Sequence, residues 1–374
     1  MIGLYIHIPF CVHKCLYCDF PSYGGVRQYI PGYVQALCRE IRAFSQKGLR
    51  ADTVYIGGGT PSLLSVSQLS SIMDALQQTF SLTADVEITL EANPDSLDAS
   101  YAAAIASLGV NRVSLGVQSF DDRMLRFLGR VHTAAAARRA VEDVWHGGID
   151  NISIDLMYGL PHQTQAMVQR DLKILSSLPV CHASIYSLIV EEHTPLQAQL
   201  QHHDLSLPAD EEVEAMARDI HRTMRKWGYE HYEISSYARQ GKRSRHNCKY
   251  WQYVPYIGFG VSAHSFYQGT RWANIANIPM YIRRAGQGSV TAERVPIDDK
   301  RAKEDYCFLA LRMHDGISYA AFANEFGTTV ETEFGSVLSR LFQQKLLEKT
   351  AAGCRLSDLG LAYGNYVFSQ FIRS

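Results

Sequence analysis

The sequence lacks several features that would assign a chain to a class at first sight. No apolar run reaches the roughly 18 residues that a membrane-spanning helix needs. The start, "MIGLYIHIPF", has neither the basic segment nor the long apolar segment of a secretory signal peptide. Internal repeats and low-complexity tracts are also missing. These absences predict a folded, cytoplasmic protein without a transmembrane helix.

An excess of charge of either sign is missing as well. The chain has 36 Lys and Arg residues against 37 Asp and Glu residues, so its net charge is −1. Such a balance gives no global electrostatic reason to bind nucleic acid or anionic lipid. We therefore expect no nucleic-acid partner and at most a peripheral association with membranes. The 47% hydrophobic and 20% charged residues favour a well-packed globular protein.

Short apolar or alternating segments recur through the first 240 residues, and segments with helical periodicity lie between them. The strand-like segments are 3–8, 53–56, 86–90, 112–117, 152–157 and 183–188, and the helical ones include 31–47, 65–80, 133–146 and 209–227. This alternation predicts parallel βαβ units, and 231–238 is a further strand candidate. Polar or glycine residues follow nearly every strand, which favours a (β/α) barrel with its site at that end over a doubly wound sheet.

The composition and periodicity of the sequence change after residue 240. Residues 241–299 are rich in aromatics, His and Gly without a clear period, which predicts a long ordered loop region that completes the site. Residues 300–374 show helices followed by a small β-wing, a winged-helix pattern. The stretch in the position of a recognition helix, 331–345, has two basic and two acidic residues, so we expect a structural or partner-docking cap rather than a DNA-binding unit.

Three of the eight cysteines are clustered, as Cys11-x3-Cys15-x2-Cys18. Thiolates are soft ligands for zinc, copper(I) or iron–sulfur clusters. A structural zinc site takes four ligands, usually as two separated pairs, so His7 or His13 would have to complete it here. A cubane iron–sulfur cluster usually takes four thiolates, and three would leave one iron open to a small molecule. The residues alone leave both metal sites possible.

The CxxxCxxC spacing resembles the signature of the radical S-adenosylmethionine (SAM) enzymes. The resemblance implies a [4Fe–4S] cluster whose open iron binds the amino and carboxylate groups of SAM. The aromatic residue before the third cysteine, here Tyr17, would pack on the adenine. The turn "GGGTP" at 57–61 would hold the methionyl end of SAM through its backbone N–H and C=O groups. The implied fold is a partial (β/α)6 TIM-like barrel with a smaller, mainly helical, winged-helix-like C-terminal domain.

A narrower resemblance extends over nearly the whole chain. The segments "LYIHIPFC", "GGGTPS", "LEANP", "RVSLGVQSF", "LGRVH", "IDLMYGLPHQT" and "YIGFGVSAHS" occur in an order similar to that of the oxygen-independent coproporphyrinogen III oxidase family and the related HemW-type haem chaperones. The resemblance implies cluster ligands (Cys11, Cys15, Cys18), residues that touch SAM (Tyr5, Gly58, Glu91) and residues that line the same cavity (Gly59, Thr60, Gln118, Arg130, Asp155, Ser187). Taken alone, Glu91, Arg130 and Asp155 are equally typical of a salt-bridge network at a sheet edge.

Two departures from the oxidase favour the chaperone. Phe20 stands where the oxidase has a further cysteine, and "HNCKYW" at 246–251 matches the HNxxYW motif of HemW-type proteins. The closer resemblance therefore implies binding of haem and its delivery to apo-haemoproteins. The alternative is a radical SAM oxidase that decarboxylates porphyrinogen propionates, an activity we expect to be absent. A homodimer is compatible with either function.

Haem iron needs an axial ligand, and a neutral imidazole is the commonest one. His246 lies beside two aromatics that could stack on a porphyrin, and it is the first candidate. His264, which replaces an aliphatic residue typical of the oxidase, is the second. Either could instead be a histidine that is hydrogen-bonded within a loop.

Overall fold

Strands and helices alternate over most of the first 240 residues, as the sequence predicts. The computed structural model describes residues 1–202 and 205–373. The strands are β1 (Ile2–Ile8), β2 (Phe10–Cys11), β3 (Tyr23–Gly24), β4 (Arg50–Gly58), β5 (Ser81–Ala92), β6 (Arg112–Gln118), β7 (Asn151–Tyr158), β8 (His182–Ser187), β9 (Glu230–Glu233), β10 (Ser236–Ala238), β11 (Tyr256–Phe259), β12 (His264–Tyr267), β13 (Thr270–Asn274), β14 (Thr291–Pro296), β15 (Ile317–Ser318), β16 (Leu347–Lys349) and β17 (Gly353–Leu356).

The α-helices fill the connections between these strands and most of the C-terminal part. They are α1 (Ile30–Ala43), α2 (Val66–Thr79), α3 (Ala99–Ser107), α4 (Asp122–Phe127), α5 (Ala134–His146), α6 (Gln165–Leu175), α7 (Pro195–Gln201), α8 (Asp210–Lys226), α9 (Arg245–Trp251), α10 (Ile278–Arg284), α11 (Asp299–Ala310), α12 (Tyr319–Phe326), α13 (Val330–Gln343), α14 (Asp358–Ala362) and α15 (Gly364–Ser369). Across the described ranges, no helix combines the length and the apolar character that crossing a membrane requires.

Local sequence signals account for the ends of these helices. α2 begins after Ser65, whose hydroxyl accepts from the N–H of Gln68 while the Gln68 side chain accepts from the N–H of Ser65, a capping box. α5 begins after Thr133, whose hydroxyl accepts from the N–H of Ala136, and it ends at the pair Gly147–Gly148. The helices between the parallel strands bury an apolar face on the sheet, as Tyr33, Leu37 and Ile41 do in α1.

The centre of the molecule is a twelve-stranded sheet in the order β14-β13-β12-β11-β1-β4-β5-β6-β7-β8-β10-β9. β1 and β4 to β8 run parallel and are the six predicted βα strands of the partial barrel. The side chains of β1, β4 and β6 are buried along almost their whole length because helices cover one face and the barrel interior the other. The predicted strand at 231–238 is present as β9 and β10, which extend one edge of the sheet in antiparallel fashion.

The prediction of a long loop region over residues 241–299 is wrong. This segment contains α9, the four strands β11 to β14 and α10. β11 adds to the free edge of β1 in parallel, with Tyr5 opposite Gly258, and β12 to β14 continue the sheet in antiparallel fashion. These strands are four to six residues long, too short to show a readable period in the sequence.

The C-terminal residues have a hydrophobic core of their own. Buried side chains between Tyr306 and Phe371, among them Phe322, Phe334 and Leu341, pack on one another. Three helices, α11 to α13, and the small sheet β15-β17-β16 form the frame around this core. This arrangement matches the predicted helical, winged-helix-like C-terminal part, while the predicted boundaries at 240 and 300 stay a prediction.

Candidate functional site

The three clustered cysteines lie at the carboxyl end of the parallel strands. Directly after β1, the short strand β2 pairs with β3 and closes a loop that carries Cys15 and Cys18. Backbone hydrogen bonds of Leu16 to Leu128 (3.3 Å) and to Leu196 (3.0 Å) hold this loop against the segments after α4 and at α7. The three clustered thiols are partly exposed, whereas the other five cysteines are buried. A ligand can therefore reach only the clustered thiols.

Each clustered sulfur has a defined neighbour. The Cys11 Sγ accepts from the Thr60 hydroxyl (3.8 Å), and the Cys15 Sγ accepts from the Arg130 guanidinium (3.4 Å). Burial raises the pKa of the Cys18 thiol, and the nearby thiols of Cys15 and Cys11 act in the same direction. The guanidinium supplies a positive charge where a cluster with thiolate ligands would carry negative charge.

The donor set fits an iron–sulfur cluster. Among the described residues, no three His, Cys, Asp or Glu side chains converge on one point as ligands of a single ion do. Thiolates that each bind a different iron of a cubane need no such convergence. His7, a candidate fourth ligand of zinc, has both ring nitrogens engaged, by the Tyr5 hydroxyl (2.9 Å) and the Pro21 carbonyl (3.0 Å). Burial lowers the pKa of His7 to about 4.

The glycine-rich turn after β4 is shaped by close contacts within the protein. A Cβ on Gly58 would lie 2.5 Å from the His7 ring, and one on Gly59 would lie 2.6 Å from the Phe10 carbonyl oxygen. The N–H of Gly58 donates to Glu91 (2.9 Å), that of Gly59 to Ile8 (2.8 Å) and that of Thr60 to Phe10 (2.7 Å). These three N–H groups therefore already have acceptors within the protein, and the predicted contact of the turn with SAM stays a prediction.

Two carboxyl groups lie close together beside this turn. Glu91 accepts from the Tyr55 hydroxyl (2.6 Å) and from the N–H of Gly58, and burial raises its pKa. Burial, and then the charge of Glu91, raise the pKa of Asp155 to about 7. Glu91, Arg130 and Asp155 form no ion pair with a described residue, so the alternative of a salt-bridge network at a sheet edge is not observed in the described part of the chain.

A buried arginine that the sequence analysis missed lies near these carboxyls. Arg112, the first residue of β6, is 1% exposed, and its Nε and Nη1 find no hydrogen-bond partner in the described part of the chain. Its positive charge lowers the pKa of both Glu91 and Asp155, opposing their burial. An arginine in an otherwise apolar strand was the available signal, because a buried cation requires nearby negative charge.

The remaining predicted SAM residues surround the same end of the sheet. Arg130 donates to Asn93 (2.7 Å) and to the Gly116 carbonyl (2.5 Å) as well as to Cys15. Gln118 accepts from the Tyr186 hydroxyl (2.8 Å) and has a φ of 69°, a strained conformation for a residue other than glycine.

Tyr17 and Ser187 lie at the far side of this end. Tyr17 packs on a cluster of buried side chains that includes Met124, Met157 and Met167, and burial raises its pKa. Ser187 ends β8 opposite Tyr158. The structure therefore brings both residues to the carboxyl end of the strands, and their contact with SAM stays a prediction.

Beside the space between the cysteines and the carboxyls lies a second cavity, of about 650 Å³, which is lined by Tyr5 and His7 of β1. Tyr5 lines it, and the ring of Tyr5 stacks on that of Tyr55, whose hydroxyl donates to Glu91. Tyr5 thus lies between Glu91 and the second cavity. Further walls come from the end of the cysteine loop at Phe20, from α9 and from β11 to β13.

The two candidate haem ligands differ sharply in their surroundings. His246 is completely buried, its Nδ1 bonds to the Thr53 hydroxyl (2.9 Å) and its Nε2 to the Tyr250 hydroxyl (2.9 Å). Burial lowers the pKa of His246 to about 3. The structure therefore does not place His246, the first candidate, where iron could reach it. His264, the second candidate, is exposed and lines the second cavity.

Comparisons with known proteins show which family the chain resembles over its whole length. Residues 5–175 match the Radical SAM superfamily, and residues 304–363 match the HemN C-terminal domain. The chain is 37% identical to the haem chaperone HemW of Lactococcus lactis, over 98% of this chain and 96% of that one, and 37% identical to HemW of Bacillus subtilis, over 100% and 99%. The mitochondrial radical S-adenosyl methionine domain-containing protein 1 of Bos taurus is 35% identical, over 96% and 85%.

A solved structure shares the whole fold. Coproporphyrinogen III oxidase of Escherichia coli, a radical SAM enzyme, matches with a TM-score of 0.85 at 22% identity, over 99% of this chain and 89% of that one. At this identity the match shows the fold alone, and it confirms the predicted partial barrel with its C-terminal part.

Proposed function

Because the chain belongs to the HemW haem chaperone family of the radical SAM superfamily, we propose that it binds haem and delivers it to apo-haemoproteins, with a [4Fe–4S] cluster and SAM as cofactors. Cys11, Cys15 and Cys18 would hold the cluster. The bulk features of the sequence support a cytoplasmic location for this activity.

The joint placement of the cysteines and the carboxyls carries the cofactor part of this proposal. Thr60 contacts Cys11, while Gly58, two residues earlier, donates to Glu91. Thiolates and carboxylates therefore border one space at the carboxyl end of the strands. SAM has an ammonium group, a sulfonium cation and ribose hydroxyls, which suit carboxylate and carbonyl acceptors.

The chain's own residues have separate tasks in this site. Glu91, already fixed by Tyr55 and Gly58, would accept from the SAM ammonium, and Asp155 from the ribose hydroxyls. Arg130, held by Asn93 and the Gly116 carbonyl, would place its positive charge against the cluster. When bound, the cluster supplies an open iron and an electron for SAM.

The central experiment measures haem transfer. The cluster is reconstituted without oxygen, haem is added, and unbound haem is removed by gel filtration. On mixing with a purified apo-haemoprotein, we expect the acceptor's Soret band to appear faster than it does from free haem in the same buffer. A wild-type protein that retains no haem, or haem that never moves to the acceptor, would contradict the proposal.

A second arm of this experiment tests the alternative function. The same reconstituted protein receives coproporphyrinogen III, SAM and a reductant. We expect no protoporphyrinogen, and its formation at catalytic rates would instead support the oxidase function.

Binding of SAM should depend on pH through Asp155. Its pKa of about 7 means that the carboxyl loses its proton between pH 6 and 8, and the new negative charge attracts a cationic ligand. We expect SAM affinity to rise about tenfold, roughly 1.4 kcal/mol, across this range, as measured by anaerobic equilibrium dialysis. His7 and His132, with pKa values of about 4, titrate outside it.

Two variants isolate the contribution of Asp155. Asp155→Asn should show a nearly flat profile, because the amide carries no titrating charge. Asp74→Asn, an exposed residue of α2, should keep the wild-type slope. An equal slope in Asp155→Asn and the wild type would assign the pH dependence to another group.

A further inference from the structure

The second cavity has the size of a small-molecule site. Its volume of about 650 Å³ falls within the roughly 300–1,000 Å³ that is usual for ligand pockets. Side chains from β1, the cysteine loop, α9, β11 to β13 and α11 line it, so it lies between the large sheet and the C-terminal part. Its walls are thus built from segments that are far apart in sequence.

Flat aromatic rings make up much of the wall. Tyr250 and Tyr256 meet edge to face at 4.6 Å, and Trp251 and Phe266 lie along the same cavity. Phe20, at the end of the cysteine loop, is 55% exposed although it is a large apolar side chain. Such surfaces favour a flat, largely apolar ligand that can stack on rings.

His264 is the imidazole with a free nitrogen in this cavity. Its ring makes no hydrogen bond with any residue in the described ranges, whereas the other histidine of the lining, His7, is bonded at both nitrogens. The turn that precedes His264 is held firmly, because the N–H of Gly260 donates to Glu40 (2.9 Å) and that of Val261 to the Tyr33 hydroxyl (3.1 Å). The backbone at His264 is therefore fixed, and its imidazole lines the second cavity with its ring nitrogens free of hydrogen bonds to the described residues.

Arg271 supplies a positive charge at the same cavity. One of its nitrogens pairs with Asp305 at 2.9 Å, and its guanidinium lies over the Phe266 ring at 5.5 Å from the centroid. A guanidinium has five N–H donors, so donors remain for a ligand carboxylate. The side chain is 32% exposed and lines the cavity.

From this combination we propose that haem binds in the second cavity, with His264 as its axial ligand and Arg271 paired with a propionate. This inference rests on the proposed haem-chaperone function and adds the location and the ligand. It assigns His246 a different role. The bond of His246 to Thr53 fixes α9, and hence the aromatic wall, on β4, and its bond to the Tyr250 hydroxyl orients that ring within α9. Phe20 and Tyr5 then connect the haem cavity to the cysteine loop and to the carboxyls.

The test compares haemin titrations of the wild type, His264→Ala and the control His146→Ala, an exposed residue at the end of α5. We expect His264→Ala to bind haemin about 30-fold more weakly, with a shifted Soret band, and added imidazole to restore the wild-type band. His146→Ala should match the wild type. Arg271→Ala should weaken binding about tenfold without moving the band, because the iron ligand is kept.

The outcomes distinguish the proposed haem site from the proposed haem-chaperone function. A wild type that does not bind haemin would contradict the haem-chaperone proposal itself. If the wild type binds but His264→Ala has the same affinity and the same Soret band, the function stands and His264 is not the ligand. A shifted band that imidazole fails to restore would likewise contradict direct ligation, because a cavity left by a missing ligand should admit the free ring.

Discussion

Cys15→Ala should abolish the iron–sulfur cluster. After anaerobic reconstitution we expect the iron content to fall from about four atoms per chain to near zero, together with the brown colour. Two remaining thiolates leave two irons of a cubane without a protein ligand, and the Arg130 guanidinium loses the sulfur that it contacts at 3.4 Å. The same result is expected for Cys11→Ala and Cys18→Ala. Iron analysis and visible absorption measure it.

The control for this experiment is a thiol removed elsewhere. Cys38→Ala removes a buried thiol of α1, whose Sγ donates to the Ser71 carbonyl and which is not one of the predicted cluster ligands. It should retain the full iron content with only a small loss of stability. Cys15→Ala that keeps four irons would contradict the assignment of Cys15 as a ligand, and a colourless wild type with one zinc per chain would favour the zinc site.

SAM binding should be lost together with the cluster. The open iron is the anchor that the three-cysteine pattern leaves for SAM, so the carboxyls of Glu91 and Asp155 alone should hold it weakly. Equilibrium dialysis of SAM with Cys15→Ala and with Cys38→Ala compares the two directly. Equal binding in both variants would show that the cluster does not contribute to the SAM site.

The sequence predicts those strands and helices whose local pattern of apolar residues matches their burial in the fold. β1 and β4 to β8 are apolar runs because both faces of a parallel sheet are covered, and the helices between them carry their own capping signals. β11 to β14 were missed because each is short and is defined by pairing with a distant strand. The pairing of β11 with β1 joins residues about 250 positions apart, which no local window can contain.

The same limit applies to the candidate site. Spacing alone identifies the cysteines, because cluster ligands must lie on one short loop. The environment of a histidine is set by the rest of the fold: Thr53, which bonds His246, lies on β4 almost two hundred residues earlier. The sequence could therefore name His246 and His264 as candidates and rank His246 first, but it could not show that His246 is buried and hydrogen-bonded at both ring nitrogens. Arg112 was missed for a related reason, since its burial depends on the strands beside it.

Gly58, in the middle of the three consecutive glycines, tests how the space beside Glu91 is joined to the second cavity. Gly58 has a φ of 116°, and its position leaves no room for a Cβ, which would lie 2.5 Å from the His7 ring. His7 cannot move away freely, because the Tyr5 hydroxyl and the Pro21 carbonyl hold its two nitrogens. Any side chain at Gly58 must therefore strain the wall between Glu91 and the second cavity.

Gly58→Ala should consequently destabilise the protein by about 2–5 kcal/mol, of which roughly 1–2 kcal/mol is the backbone conformation and 1–3 kcal/mol the overpacking. The matched control is Gly148→Ala, which has a φ of 93° but meets no atom within 4 Å, so it should lose only about 1–2 kcal/mol. Denaturant unfolding of the cluster-free proteins measures both. Because the Gly58 N–H also fixes Glu91, only Gly58→Ala should weaken SAM binding after reconstitution; equal losses in the two variants would show that His7 does not confine this turn.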